Sequence, residues 1–174
     1  MMKKNIQLKQ IGTIVLTNMK TLAIYAGSFN PFHIGHLNIV DKMEKIFGWG
    51  NIMIAIGVNP SKVTTPMDQS ELLDRAMKLS KGLDVQVEVY TTFLHELIEK
   101  KESEGYKVIL VRGLRNGDDL DYEDNQLKFI KDFKKDVNVV FIRCDEEFEH
   151  ISSSAIRALE SFRPGSGEKY LVKI

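Results

Sequence analysis

Cysteine is nearly absent: Cys144 stands alone in 174 residues. One thiol excludes an internal disulfide framework and a four-cysteine zinc site within one chain. Its plainest reading is a small apolar residue ending a buried strand, in keeping with a reducing compartment. A charge excess is missing too, with 24 lysines and arginines against 24 aspartates and glutamates. No global field therefore recruits nucleic acid or an anionic membrane surface. Apolar runs are short, and none approaches the roughly 20 residues of a membrane span. The Gly-x-x-x-x-Gly-Lys-Ser/Thr pattern of P-loop hydrolases and the Gly-x-Gly-x-x-Gly pattern of dinucleotide-binding dehydrogenases are both missing. Nothing resembles an activated serine or cysteine nucleophile, and there is no internal repeat or low-complexity tract. Function is expected in a local site, and a cytoplasmic location is expected.

What is present is an alternation of short apolar runs and longer amphipathic segments. "TLAIYAG" (21–27), "IMIAIGV" (52–58), "VQVEVY" (85–90), "KVILVRG" (107–113) and "VNVVFIR" (137–143) read as strands. Most are continuous rather than alternating, as expected where both faces of a parallel sheet are covered. Helical patterns lie at 36–47, 69–81, 93–104 and 121–134, with a last one from Ser152 to about Phe162. Strand–helix alternation predicts an α/β fold: a single-domain, doubly wound, Rossmann-like, five-stranded parallel sheet with helices on both faces. Residues 1–18 make a poor signal peptide, interrupted by Gln10 and Thr13, and are expected to be an extension before a domain spanning 19–174. In such sheets ligands bind beyond the carboxyl ends of the strands, near the switch in strand order.

The residues with chemistry fall after strands. "YAGSFNPFHIGH" (25–36) follows the first run with Gly27-Ser28, a turn at Asn30-Pro31, and two imidazoles, His33 and His36, at a helix start. A helix N-terminus offers unpaired N–H groups and partial positive charge, which suits phosphate. Gly35 would let backbone or ligand come close. A metal pair is conceivable, but phosphate contact fits better where no cysteine is near. "GVNPSK" (57–62) could hold Lys62 at the same edge, although alone it reads as a solvated lysine.

"VRGLRNGDDLDYE" (111–123) brings Arg112 and Arg115, whose planar forks suit bidentate phosphate contact. Its acidic residues, Asp118, Asp119, Asp121 and Glu123, could pair with the arginines or favour the next helix start; for most of them the helix start is the better reading. "HISSSAIRAL" (150–159) supplies three serines at a helix start, where capping needs only one. Four anion-friendly loops at one sheet edge describe a polyphosphate site, most plausibly for a nucleotide, with a second anionic group nearby.

"GSFNPFHIGH", "NPSK", "RGLR…DYE" and "ISSSAIR", in this order and spacing, resemble the nucleotidyltransferase superfamily with the (H/T)xGH signature. The likeness runs from about Lys20 to about Leu159, and Arg-Gly-Leu-Arg with Asp-Tyr-Glu is most similar to its phosphopantetheine adenylyltransferase branch. The resemblance implies direct in-line attack by 4′-phosphopantetheine on the α-phosphorus of ATP, with Mg²⁺ as ATP's companion. It implies catalytic roles for His36, Lys62, Arg112 and Arg115. ATP would be held by Ser28, Phe29, His33, His36, Gly113, Leu114, Arg115, Glu123, Phe148, Ile151, Ser152, Ser153 and Ser154. The acceptor would be held by Ser28, Lys62, Leu94, His95 and Arg112, and no residue is expected to ligate a metal. Neither nucleic acid nor membrane is an expected partner, and a homo-oligomer, hexameric in the family, is.

Two departures stand out. The family continues Tyr-Glu-x-Gln and then Asn; here Gln126 comes one place late and Ile130 stands where the Asn would fall. The tail is short and ends "GEKYLVKI". A pyridine mononucleotide is therefore carried as an alternative acceptor, and a nucleotide-binding protein without turnover as a further alternative.

Overall fold

In the computed structural model the described residues are 19–57 and 69–173. The proposed extension over residues 1–18 and the Lys62 loop lie outside them. Five parallel strands, β1 (Lys20–Gly27), β2 (Ile52–Gly57), β3 (Gln86–Tyr90), β4 (Tyr106–Leu114) and β5 (Asn138–Arg143), form one sheet in the order β3-β2-β1-β4-β5. Between them run α1 (Ile34–Phe47), α2 (Gln69–Leu83), α3 (Leu94–Ser103) and α4 (Gly117–Phe133), and α5 (Ser153–Phe162) follows β5. This is the doubly wound sheet expected from the alternation, and each strand lies within about two residues of its apolar run.

Two apolar layers sandwich the sheet. On one side Ile39, Val40 and Met43 of α1 and Leu72, Ala76 and Leu79 of α2 pack on Ala23, Tyr25, Ile54 and Ile56. On the other, Leu97 and Ile98 of α3 pack on Leu22, Ile24, Met53 and Leu110, with Ile130 of α4 at the margin. The central strands show every residue of β2 buried, whereas the edge strand β5 buries only Ile142 fully. Each fully buried Ile, Leu or Met contributes about 1.5–3 kcal/mol, so this double-sided burial is the main stabilising term. The one charged side chain buried among the described residues, Lys101, is compensated by Glu88 at 2.7 Å and Glu104 at 3.1 Å.

The strand order reverses at β1, which pairs with β2 on one side and β4 on the other. The crevice between the diverging β1 and β4 connections is where such a sheet accepts ligands. Helix α4 begins at Gly117, four residues before the periodicity suggests, because Asn116 caps it by accepting from the Asp119 N–H at 3.1 Å. The short tail adds a 3-10 turn (Glu168–Tyr170), and its Leu171 forms an isolated bridge with His33.

Candidate active site

The β1–α1 loop builds the centre of the site. Phe29 takes a left-handed backbone conformation, with φ of 45°, which costs a non-glycine residue free energy and persists only where surroundings enforce it. Aromatic packing does so: its ring meets Tyr25 edge-on at 5.0 Å, His36 edge-on at 5.0 Å and Phe32 at 5.6 Å. The Phe29 ring thus belongs to the core.

His33 and His36 stack with ring centroids 3.6 Å apart. The His33 N–H donates to His36 Nδ1 at 3.3 Å, so the proton of neutral His36 resides on Nε2. Burial, then the charge of Arg115, pushes His33 down to about 4. Burial also pushes His36 well below its ordinary value, helped by His33 and Arg115. Both rings are therefore uncharged hydrogen-bond donors near neutral pH. His33 Nδ1 is buried without a hydrogen-bond partner among the described residues. Gly35 serves this arrangement differently from the expectation: a Cβ there would lie 3.1 Å from His33 Nδ1, so the close approach is made by the chain's own imidazole.

Strand β4 delivers the cations. Arg112 donates from Nη1 to the Ala26 carbonyl at 3.2 Å and is paired with Glu123 of α4. Arg115 grips Asp119 through Nη2 at 2.6 Å and Nε at 2.8 Å, while its backbone N–H donates to the same carboxylate at 2.8 Å. That grip raises the Arg115 guanidinium above its usual value; burial would raise Asp119, but the hydrogen bonds from Arg115 outweigh it and hold the carboxyl low. The acidic run thus divides its labour: Asp118 and Asp119 occupy the first turn of α4, and Asp119 and Glu123 also hold the two arginines. Gly113 has a packing reason for being glycine, since a Cβ would lie 2.8 Å from the Tyr25 hydroxyl. Leu114 accepts at its carbonyl from the Cys144 N–H at 2.8 Å, aligning the ends of β4 and β5.

The segment after β5 closes the other side. Phe148 lies beside the α1 start, its Cβ 3.7 Å from where a Gly35 Cβ would be, and Ile151 is buried. The three serines do separate things. Ser152 caps α5 by accepting from the Ala155 N–H at 3.1 Å, Ser153 donates to the Pro31 carbonyl at 2.9 Å, and Ser154 accepts from Arg157 at 3.3 Å. Arg157 also donates to the Asn30 carbonyl. This latch between α5 and the β1–α1 loop was not read from the sequence, although Arg157 ends the quoted "ISSSAIR" stretch. A second fastening joins α1 to the end of β5, where Asn38 donates to Asp145 at 2.7 Å and Lys42 pairs with it at 2.7 Å.

Ser28, Phe29, His33, His36, Arg112, Arg115, Glu123, Phe148 and Ser153 are thus gathered around one edge. Leu94 packs on the second core layer with Tyr90, and His95 stacks on Phe133 at 4.9 Å and Phe93 at 5.6 Å. Tyr90 bridges towards the edge, since its ring fills the space a Gly57 side chain would take. Among the described residues no helix is long and apolar enough to cross a membrane.

A doubly wound sheet with an imidazole pair at a helix start and arginines at its switch point has the Rossmann-like nucleotidyltransferase fold. The chain belongs to the cytidylyltransferase-like family, whose model matches residues 24–159. Its relatives include a phosphopantetheine adenylyltransferase of Clostridium kluyveri, 31% identical over 142 residues, covering 80% of this chain and 82% of that one. Another, from Leptospira biflexa, is 29% identical over 140 residues, covering 80% and 83%. Among solved structures, nicotinic acid mononucleotide adenylyltransferase of Plasmodium falciparum, complexed with NaAD, aligns with TM-score 0.60 at 17% identity, covering 87% of this chain and 90% of that one. At that identity the likeness concerns the fold.

Proposed function

We propose that this chain transfers AMP from ATP to 4′-phosphopantetheine, giving dephospho-coenzyme A and pyrophosphate. The observation that carries the reading is the stacked, uncharged His33–His36 pair lying within the field of Arg115 at the switch-point edge. Two anions must be brought together there, which calls for positioning and charge stabilisation rather than a covalent intermediate. An oxygen of the acceptor phosphate attacks the α-phosphorus. The bond from that phosphorus to the bridging oxygen breaks, and the electron pair leaves with pyrophosphate. The acceptor phosphate is already ionised near neutral pH, so no general base is needed. His36 Nε2–H donates to the charge developing on the transferred group. Arg112 and Lys62 hold the acceptor phosphate, while Arg115 and the Phe148–Ser154 segment hold the triphosphate.

Mg²⁺ would arrive with ATP and would supply neutralisation of phosphate charge. Asp119 and Glu123 are each engaged by an arginine. Among the described residues no group of three or more His, Cys, Asp or Glu side chains is arranged to hold a metal ion. A cytoplasmic location and a homo-oligomer, hexameric by family resemblance, belong to the same reading.

The names of the relatives and the Arg-Gly-Leu-Arg…Asp-Tyr-Glu stretch favour the pantetheine acceptor. Ile130, packed at the margin of the second core layer where the family has Asn, is the departure that keeps a pyridine mononucleotide as the alternative acceptor. Pyrophosphate release from ATP, measured with 4′-phosphopantetheine and with nicotinamide and nicotinate mononucleotides in turn, separates them. Turnover with the first alone is expected; turnover with a mononucleotide alone overturns the acceptor. ATP binding by calorimetry with no pyrophosphate from any acceptor would leave a binding protein.

A further inference from the structure

Arg75 is a residue that the reaction scheme above does not use. It lies on the apolar stripe of α2, three residues after Leu72 and four before Leu79, both buried in the first core layer. An arginine there runs its stem along apolar surface and delivers its head at the margin. Its Nη2 donates to the Ser28 carbonyl at 3.0 Å, at the start of the β1–α1 loop. Its Nη1 is buried with no hydrogen-bond partner among the described residues.

The contrast with the other arginines of this edge is informative. Arg112 is paired with Glu123 and Arg115 with Asp119, so each carries its own countercharge. Arg75 makes no ion pair among the described residues; Glu71 on the same helix acts on it only through its field. A half-buried guanidinium without a carboxylate is costly to keep. A glutamine or a water would satisfy one carbonyl at less cost. What the guanidinium adds is positive charge fixed against the backbone of the loop that must receive phosphates.

We propose that Arg75 is a positioning residue for phosphate binding and adenylyl transfer: it clamps the Ser28 carbonyl and, with no carboxylate paired to it among the described residues, keeps its charge beneath the β1–α1 loop. The inference rests on the reading of this edge as a phosphate site. The clamp fixes the backbone between β1 and the strained Phe29, and with it the approach to His36. The free charge lowers the cost of bringing an anion to that backbone.

Arg75→Gln, Arg75→Lys and Arg75→Met separate these roles. Binding of inorganic pyrophosphate is measured by calorimetry, kcat and KM by pyrophosphate release, and folding by thermal midpoint. Arg75→Gln and Arg75→Met are expected to weaken pyrophosphate about 10-fold, while Arg75→Lys, which keeps the charge, stays within about threefold of the parent. All three are expected to lower kcat about 10-fold, because none reproduces the fork that holds Ser28. Pyrophosphate affinity unchanged in Arg75→Gln, with only the midpoint lowered, would reduce Arg75 to a structural residue and overturn the proposal alone. Should Arg75→Met fail to fold, the Gln and Lys pair still decides. Parent protein that neither binds pyrophosphate nor releases it would overturn the phosphate-site reading itself, and the proposal with it.

Discussion

At the scale of the residue, the site depends on keeping an imidazole neutral where a positive charge would at first sight be useful. His36 is partly buried, stacked on His33 and near Arg115, and every one of these influences disfavours a proton on it. The result is a donor of fixed tautomer, aimed by the His33 N–H at its other nitrogen. Such a donor acts without having to lose or gain a proton during turnover. His36→Ala is accordingly expected to lower kcat by roughly 10²–10³-fold with a much smaller change in KM for ATP. A change confined to KM would mean that His36 serves only ground-state binding. The placement of both imidazoles was legible in the sequence, because His-x-Gly-His follows a strand and opens a helix. The stacking and the tautomer were not, since they depend on Phe29, Phe32 and Tyr25 crowding the rings from outside the motif.

At the scale of the element, the α1 start is a helix terminus that buries two titratable groups in their neutral form. The unfolded chain binds protons at both histidines below pH about 6.5, whereas folded His33 does so only near about 4. Between those values the unfolded state holds more protons, so stability rises with pH and falls on acidification. His33 alone corresponds to a loss of roughly 3 kcal/mol once pH reaches about 4. A urea midpoint that declines steadily from pH 7 to 4.5 is the expected result, and a flat midpoint over that range would contradict it. Elements themselves were well read from the sequence. Continuous runs such as "IMIAIGV" can be little other than doubly covered strands, and β2 is buried throughout. Helix starts were read less well, because Asn116 and the first-turn aspartates belong to α4 by virtue of capping rather than apolar period. The latch of Arg157 and Ser153 onto the β1–α1 loop joins residues more than 120 positions apart, which no local pattern encodes. The bridge between Leu171 and His33 is likewise invisible in a tail with no period of its own.

At the scale of the molecule, a chain with balanced charge gathers imidazoles and guanidiniums at one sheet edge by topology. Strand order reverses at β1, the β1–α1 and β4–α4 loops part there, and imidazoles and guanidiniums from distant segments meet across the gap. The convergence on one edge could be read from the sequence because each motif follows a strand. The internal neutralisation of Arg112 and Arg115 could not, because it required knowing which carboxylates of α4 turn inward. Phosphorus NMR of the protein with ATP, Mg²⁺ and 4′-phosphopantetheine tests the central claim most directly. Loss of the acceptor's monoester resonance, matched by equal amounts of free pyrophosphate and a new diphosphate diester, is the predicted outcome. Formation of ADP and orthophosphate instead, with the acceptor resonance unchanged, would contradict it.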